Sequence, residues 1–324
     1  MKVLIIGAGV IGTIYGWAIS EAGHDVVHVV RTGQASRLAR GVAIDMFDKR
    51  RRHERRNMSH YDIKVVESLD ASSYGFDMVI VPIHHYELVD TLKQFAPRAK
   101  NAGFVLLTQN WQGTAEVDSI LPQNHYLYGD VKAGGAFRDD VLVATISTID
   151  LGQASGRHDD CLTKGIDLFE SADLKPRLRE NIIHYLWVQY AIAGGLWPAL
   201  VRAGSFETLL RDRHTSELAL TAARECLDVV ARRGVDLSKY PETRMYYKRS
   251  FILRQAAVMM MKFMFRHNEY AKRSSAHALA NAREIKTFFY DLLNTGHQLH
   301  VDMPIMTSFQ PDIEEFWLKA TKRE

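Results

Sequence analysis

The sequence predicts an α/β protein in which an N-terminal Rossmann doubly wound sheet is followed by an all-helical C-terminal domain. Short apolar runs alternate with helix-like stretches in the first half, a glycine motif follows the first run, and strand signals disappear beyond about residue 165. A chain of 324 residues is long enough to build two cores. We therefore expect a dinucleotide-binding domain over residues 1–165 and a helical domain over residues 166–324.

The first half contains apolar runs that are typical of buried strands. They read KVLIIG, DVVHVV, IKVV, DMVIVPI, GFVLLTQ, HYLYGD and VLVATIS. Helical stretches separate the early runs, which predicts parallel pairing, and the last runs predict an antiparallel part. In the second half, stretches such as ENIIHYLWVQYAIA and SELALTAARECLDVVARRG have helical periodicity. The methionine cluster 259–261, with Phe263 and Phe265, is expected to pack as part of a helix.

The first strand leads into GAGVIG, which contains Gly7, Gly9, Val10, Ile11 and Gly12. A strand before the motif, a helix after it and a second strand at the expected distance are the context that a dinucleotide site requires. The first glycine allows a tight turn, the second lets a pyrophosphate approach the helix N-terminus, and the third lets helix and sheet pack closely. We expect all five residues to contact the cofactor.

The second strand ends at Arg31, where NAD-binding proteins have an acidic residue for the ribose hydroxyl. A carboxylate would repel a 2′-phosphate, whereas a guanidinium can bind it through two hydrogen bonds. Arg31 therefore favours NADP(H) as the cofactor. Thr32 and Arg37, in RTGQASR, are candidates to complete the phosphate pocket.

Composition excludes several classes of function. The formal net charge is only +3, and no apolar run is long enough to cross a membrane. The basic run Lys49 to Arg56 has no interleaved aromatic residue, so we interpret it as a solvated loop or helix face and expect no nucleic-acid partner. Two cysteines without ligand spacing predict neither disulfides nor a metal site. The N-terminus lacks the features of a signal peptide, which predicts a cytoplasmic protein with no membrane association.

The chain resembles the ketopantoate reductase family. The resemblance is carried by GAGVIG, the second strand that ends in arginine, QNWQGTAE after the strand GFVLLTQ, ECLDVVARRGVDL, and the C-terminal stretch from REIKTFFYDLL to HVDMP. It covers most of the chain. It implies an NADP(H)-dependent reductase that converts a 2-oxo acid to the hydroxy compound, with a small-molecule substrate and a homodimer formed through the helical domain. It also implies that Asn110, in QNWQG, contacts cofactor and substrate, and that Glu284, in REIK, lies in the active site.

Other family positions have changed. The family helix reads approximately N-x-x-x-x-x-W-x-K-L-x-x-N, and its lysine protonates the nascent alkoxide. Over RENIIHYLWVQY we place this lysine at Tyr185, the second asparagine at Gln189 and the tryptophan at Ile183. The lysine that usually follows the strand VIVPI is replaced by His84, which we expect to contact cofactor or substrate. The family serine has its nearest counterparts in 274–275.

Reduction of a 2-oxo acid needs a proton donor at the carbonyl oxygen and a group that holds the carboxylate. Tyr185 can donate a proton, and Gln189 lies four residues away on the same helical face. Lys132, in GDVKAGGAF, is a rival acid or carboxylate anchor. Glu284 would bond a substrate hydroxyl or pair with a buried base. An opine-type enzyme that reduces an imine, and a non-catalytic regulatory protein that binds NADP(H), are the alternatives.

Overall fold

The computed structural model describes residues 1–51, 54–69, 75–99, 101–247, 258–259, 262–263, 265–275 and 279–322. The chain divides into two compact units. One unit comprises Met1–Ile183 and Arg273–Ala276, and the other comprises His184–Lys272 and His277–Glu324. Among the described residues, no helix combines the length and the apolar character that a membrane span needs.

The first unit is built on one mixed sheet. Its strands are β1 (Lys2–Ile6), β2 (Asp25–Val29), β3 (Val42–Asp48), β4 (Arg55–Tyr61), β5 (Val65–Val66), β6 (Met78–Val81), β7 (Gly103–Leu106), β8 (Tyr126–Arg138), β9 (Val141–Gly152) and β10 (Arg177–Leu178). The strand order is β4-β3-β9-β8-β7-β6-β1-β2-β5, and β10 pairs with β9.

The part of the sheet from β5 to β8 is parallel and confirms the predicted Rossmann fold. Read from one edge, the order β5-β2-β1-β6-β7-β8 is the doubly wound order 3-2-1-4-5-6. The strands β1 and β6 are buried almost throughout, as expected for strands covered on both faces. The chain switches direction across the sheet between β1 and β6, so ligands are expected outside the carboxyl ends of these strands.

The predicted antiparallel part is also present, since β8 and β9 form a long antiparallel pair. The antiparallel pair of β3 and β4 was not predicted. Its strand β4 lies at the edge of the sheet and reads RRNMSHY, with mostly exposed side chains. A polar edge strand of this kind carries no apolar periodicity.

Where the structure describes the first unit, its α-helices are α1 (Val10–Glu21), α2 (Ala35–Leu38), α3 (Leu88–Phe95), α4 (Ala115–Asp118) and α5 (Asp160–Ser171). Helix α5 crosses the boundary that we expected at residue 165. A Cβ atom added at Gly165 would lie 3.2 Å from Leu127 of β8, so α5 packs closely on the sheet. The short strand β10 follows it, and the compact first unit extends to Ile183.

The basic run that we interpreted as a solvated face contains a buried residue. Arg50 is only 7% exposed, and its guanidinium contacts the Asp48 carboxylate at 2.8 Å and that of Glu21 at 3.0 Å. It also donates to the carbonyl oxygen of Ala172 and lies 4.7 Å from the ring centre of Trp17. Arg50 is therefore a structural ion-pair residue, and the solvated interpretation is wrong at this position.

The second half of the chain is helical, as predicted. Its helices are α6 (Ile182–Ala203), α7 (Phe206–Arg211), α8 (Arg213–Arg232) and the helices Glu269–Ser274, Ala282–Gln298, Pro304–Ser308 and Gln310–Thr321. Polar N-caps fix several helix starts: the side chain of Asp212 accepts from the backbone N–H of His214, and that of Asn281 accepts from Glu284.

The expected packing of the methionine cluster is not what the described residues show. Met259 and Phe263 are 71% and 66% exposed, whereas Val258 is buried. Phe265 stacks on Phe206 with ring centres 5.1 Å apart. The remaining methionines of the cluster, at 260–261, lie outside the described residues.

Candidate functional site

The glycine motif forms the turn between β1 and α1. Gly7 has φ +90°, a conformation that favours glycine. A Cβ atom at Gly12 would lie 3.0 Å from the Gly7 carbonyl oxygen and 3.3 Å from Pro82, so any larger residue would push the helix away from the turn. Around Gly9 there is open space for such an atom, and no side chain caps the helix there. Val10 and Ile11 open α1 and are half-buried. This geometry fits a dinucleotide pyrophosphate at the start of α1.

A buried histidine that the sequence did not single out supports this turn. His28, in β2, has Nδ1 2.8 Å from the Gly7 carbonyl oxygen and Nε2 3.0 Å from the Tyr61 hydroxyl. Because a carbonyl can only accept, Nδ1 carries the proton and Nε2 accepts from Tyr61. Burial lowers the pKa of His28 to about 4, so the ring is neutral at physiological pH. The only signal in the sequence is one polar residue in an apolar strand.

The loop after β2 presents the predicted specificity residue. Arg31 is 89% exposed, and its guanidinium lies 3.8 Å from the Glu87 carboxylate. Arg37, in α2, is also exposed. The carboxylate of Glu67, which follows β5, accepts from the backbone N–H of Gly33 at 2.8 Å and of Ala35 at 3.0 Å. Glu67 therefore holds the loop that carries Arg31, a role that the sequence analysis missed.

Two other predicted residues lie beyond the carboxyl ends of β6 and β7. His84 precedes the 3-10 turn His85–Glu87, and its ring stacks on Tyr86 with centres 5.2 Å apart. Asn110 is buried, and its Nδ2 donates to the Gly113 carbonyl oxygen and to the Tyr128 hydroxyl, both at 2.8 Å. Its Oδ1 accepts from the Gly113 N–H at 2.7 Å. Both amide hydrogens are thus used in shaping the loop, and a further lone pair of Oδ1 is the polar group suited to a ligand.

A charged cluster lies on the strands β8, β9 and β10 and extends to Arg179, just after β10. Asp150 is fully buried and accepts from Arg177 at 2.8 Å and from Arg179 at 2.7 Å. Lys132 contacts the carboxylate of Asp130 and lies 3.6 Å from that of Asp150. The five side chains thus form an ion-pair network around the buried Asp150.

The three predicted catalytic residues lie in the second unit. Tyr185 is buried, with its ring centre 6.4 Å from that of Tyr240. Gln189 is half-buried, and its Nε2 donates to the Glu242 carboxylate at 2.9 Å. Both side chains therefore face the same segment, 240–242. Glu284 is half-buried and opens the helix Ala282–Gln298.

The residue after Gln189 connects these two helices. Tyr190 is fully buried, donates to Asp291 at 2.7 Å and stacks on Phe288 with ring centres 3.6 Å apart. Burial, and then the negative charges of Asp291 and Glu284, raise the pKa of Tyr190. Glu284 is thus close enough to Tyr190 to act on it electrostatically, and it lies on the side of its helix that faces α6.

Comparison with known proteins shows a similarity to one family. The family model "Ketopantoate reductase PanE/ApbA" matches residues 3–156. The 2-dehydropantoate 2-reductase of Pyrococcus abyssi is 22% identical over 246 residues, which cover 74% of this chain and 77% of the relative. That of Archaeoglobus fulgidus is 24% identical over 248 residues, 75% of this chain and 78% of the relative. The chain is thus similar to the ketopantoate reductase family over residues 3–156, and to these two relatives over about three quarters of its length.

Solved structures share the fold over the whole chain. A PanE/ApbA family ketopantoate reductase from Ralstonia eutropha JMP134 has a TM-score of 0.71 at 17% identity and covers 98% of this chain and 99% of its own. The ternary structure of D-mandelate dehydrogenase with NADH and anilino(oxo)acetate has a TM-score of 0.76 at 12% identity, with 98% of this chain and 99% of that chain covered. At these identities the likeness shows the fold alone.

The spacing of the family helix pattern, counted from the start of α6, places its lysine at a residue other than Tyr185. Counted from Asn181, N-x-x-x-x-x-W-x-K-L-x-x-N puts the tryptophan on Trp187, the lysine on Gln189 and the second asparagine on Ala193. Because this count matches the tryptophan, which the assignment to Ile183 does not, we adopt Gln189 as the lysine position. Both assignments leave the helix without the family lysine, and Tyr185 then lies one turn earlier.

Proposed function

We propose that the protein is an NADPH-dependent reductase that converts a 2-oxo acid or a related carbonyl compound to the hydroxy compound. The single observation that carries the proposal is the turn from Gly7 to Gly12, with the exposed Arg31 at the end of the neighbouring strand. The glycines leave room for a pyrophosphate at the start of α1, and Arg31 supplies the charge for a 2′-phosphate. The residues proposed to hold the cofactor are Gly7, Gly9, Val10, Ile11, Gly12, Arg31, Arg37, His84 and Asn110.

NADPH, when bound, supplies the hydride. The protein must then provide a proton for the carbonyl oxygen and groups that orient the substrate. We assign the proton donor to Tyr185, whose phenol can donate without a lysine beside it, and orientation of the substrate to Gln189 and Glu284. The Gln189 amide is already polarised by its bond to Glu242, which leaves its oxygen available as an acceptor.

The substrate class is supported by the relatives. Curated relatives from several organisms are 2-dehydropantoate 2-reductases, and the D-mandelate dehydrogenase structure contains a 2-oxo carboxylate, anilino(oxo)acetate. The shared chemistry is a carbonyl beside a carboxylate. We extend the proposal to a cytosolic homodimer formed through the helical domain, which size-exclusion chromatography with light scattering would test.

The test begins with binding of NADPH and NADH, followed by fluorescence. Oxidation of NADPH is then measured with ketopantoate, other 2-oxo acids, simple ketones, and amine–carbonyl pairs that form imines. Turnover of a 2-oxo acid supports the proposal. Turnover of imine-forming pairs alone would instead identify an opine-type enzyme, and tight NADPH binding without turnover across the panel would identify a regulatory protein.

A further inference from the structure

An ion pair joins two loops at the ligand-binding edge of the first unit. Arg31 follows β2, and Glu87 is the last residue of the 3-10 turn that follows β6. A guanidinium nitrogen of Arg31 lies 3.8 Å from a carboxylate oxygen of Glu87. In the sheet, β1 lies between β2 and β6, and all three strands are parallel. The ion pair therefore spans the carboxyl end of β1, where the glycine turn begins.

The backbone is held on both sides of this pair. Arg31 begins a turn in which its carbonyl oxygen accepts from the Gln34 N–H at 3.1 Å, and Gly33 in this turn has φ +84°. The Glu87 N–H donates to the His84 carbonyl oxygen at 3.0 Å. The two side chains are 89% and 38% exposed. The loops thus fix where the charges start, and a ligand can reach both of them.

A helix cap would be the structural explanation for a glutamate at this position. Glu87 directly precedes α3, but in the part of the chain that the structure describes its side chain forms no capping hydrogen bond with that helix. An exposed ion pair such as that of Glu87 with Arg31 contributes little to folding stability. Neither capping nor stability therefore accounts for the glutamate, and its carboxylate charge is what a bound ligand would meet.

The two charges match the two forms of the adenosine end of a nicotinamide dinucleotide. When the pyrophosphate lies at the start of α1, the adenosine ribose lies near the end of β2. There NADPH carries a 2′-phosphate, which a guanidinium binds, whereas NADH carries a hydroxyl, which a carboxylate accepts. Arg31 supplies the first of these groups and Glu87 the second. A carboxylate at this place also competes with the 2′-phosphate for the guanidinium and repels the phosphate.

We propose that Glu87 makes the cofactor site accept NADH as well as NADPH, because its carboxylate bonds the ribose hydroxyl of NADH and competes with the 2′-phosphate for Arg31. This inference rests on the proposed function and names a second cofactor for the same site. Arg31 keeps NADPH the better ligand, and Glu87 limits the advantage of NADPH to about ten-fold in affinity. Glu87 is thus a residue that determines cofactor specificity.

The direct test is fluorescence titration of the full-length protein with NADPH and with NADH, in the absence of a substrate. Glu87→Gln removes the charge and keeps an acceptor of similar shape. NADPH affinity should rise about three- to ten-fold, because the competitor for Arg31 is gone, and the rise should be smaller at high salt. NADH affinity should fall about two- to five-fold, because a neutral acceptor binds the hydroxyl less strongly than a carboxylate does.

Two further variants control for a general effect of charge. Glu170→Gln removes an exposed carboxylate from α5, and both affinities should stay within about two-fold of the wild-type values. Glu87→Asp keeps the charge and should keep NADPH affinity within about two-fold. Changes of the same sign for NADPH and NADH in Glu87→Gln would overturn the inference, as would two unchanged affinities or a wild type that binds NADPH more than about 100-fold more tightly than NADH.

Turnover separates the inference from the proposed function. If the two affinities respond as expected but no carbonyl compound is reduced, the function fails and the inference stands. If 2-oxo acids are reduced and Glu87→Gln leaves the ratio of kcat/KM for NADPH to that for NADH unchanged, the inference fails and the function stands. A protein that binds neither cofactor overturns both. If both are correct, the wild type reduces 2-oxo acids with either cofactor, and Glu87→Gln raises this ratio about ten-fold.

Discussion

The Nδ1 atom of His28 donates to the Gly7 carbonyl oxygen at 2.8 Å and thereby ties the glycine turn to the neighbouring strand. The ring is fully buried, and its pKa is lowered to about 4 from an ordinary value of 6.5. The folded protein therefore takes up a proton at His28 only well below the pH at which the unfolded chain does. The neutral His28 imidazole therefore both holds the glycine turn and makes the stability of the fold depend on pH.

We predict that the free energy of unfolding decreases as the pH falls from 6.5 towards 4. Above pH 6.5, His28 is neutral in both states and its contribution is fully present; below it, the unfolded state gains the proton first. The loss should amount to about 3 kcal/mol. In urea titrations at a series of pH values, His28→Asn, which keeps a donor for Gly7 but does not titrate, should lose less stability over this range. A parallel decline in both proteins would contradict the assignment to His28.

Arg31→Asp should weaken NADPH binding selectively. The guanidinium is 89% exposed and only loosely paired with Glu87, so it can reorient towards a 2′-phosphate. We expect NADPH affinity to fall about 100-fold and NADH affinity to change less than about three-fold. Fluorescence titrations with both cofactors measure these affinities. The same titrations of Arg37→Ala show what the second arginine contributes. Equal losses for both cofactors would remove the role assigned to Arg31.

Glu67 is expected to affect the binding of NADPH in two opposite ways. Its carboxylate holds the backbone of Gly33 and Ala35, but it also brings a negative charge to the loop that would face a phosphate. Glu67→Gln keeps the acceptor and removes the charge, so NADPH should bind about two- to five-fold tighter at low salt and less so at high salt. Glu67→Ala removes both the hydrogen-bond acceptor and the charge, and it should weaken NADPH binding. Identical affinities in both variants and the wild type would show that the loop does not depend on Glu67.

Arg50 should contribute far more to stability than its neighbour Arg51. Arg50 is buried with Asp48, whereas the side chain of Arg51 is 65% exposed in its pair with Asp173. Arg50→Ala leaves a buried carboxylate without its cation and should cost about 3–5 kcal/mol, and Arg51→Ala less than about 1 kcal/mol. Chemical denaturation of the two variants provides the comparison. Similar small losses would mean that water replaces the Arg50 guanidinium.

The sequence could predict the parallel sheet and the glycine turn because their signals are local. A buried apolar run, a glycine that needs positive φ and a following helix all lie within the first 21 residues. The role of Arg50 could not be predicted, since its burial depends on Trp17, Glu21 and Ala172, which are distant in sequence. Likewise, β4 could not be predicted, because this edge strand forms by pairing with β3 and its own side chains show no apolar pattern.

The position of the missing lysine can be tested by restoring it. Gln189 is half-buried and already hydrogen-bonded to Glu242, so Gln189→Lys would place an ammonium beside a carboxylate. Tyr185 is buried against Tyr240, and Tyr185→Lys would desolvate a charge there and destabilise the helix. We therefore expect Gln189→Lys to raise ketopantoate turnover about ten-fold or more, and Tyr185→Lys to lower the melting temperature without any gain.

Removal of the proposed acid completes this comparison. Tyr185→Phe should lower kcat about 100-fold with unchanged NADPH affinity, because only the hydroxyl that would protonate the carbonyl oxygen is lost. Tyr190→Phe, which removes a buried hydroxyl bonded to Asp291, is the control and should affect stability more than kcat. If Tyr185→Phe reduces the substrate at the normal rate while Gln189→Lys gains activity, position 189 is the one at which a lysine assists the reduction. The wild-type proton donor is then a group other than Tyr185. If Tyr185→Phe is inactive and Gln189→Lys gains nothing, Tyr185 supplies the proton that the family lysine would supply, from a position one turn earlier in the helix.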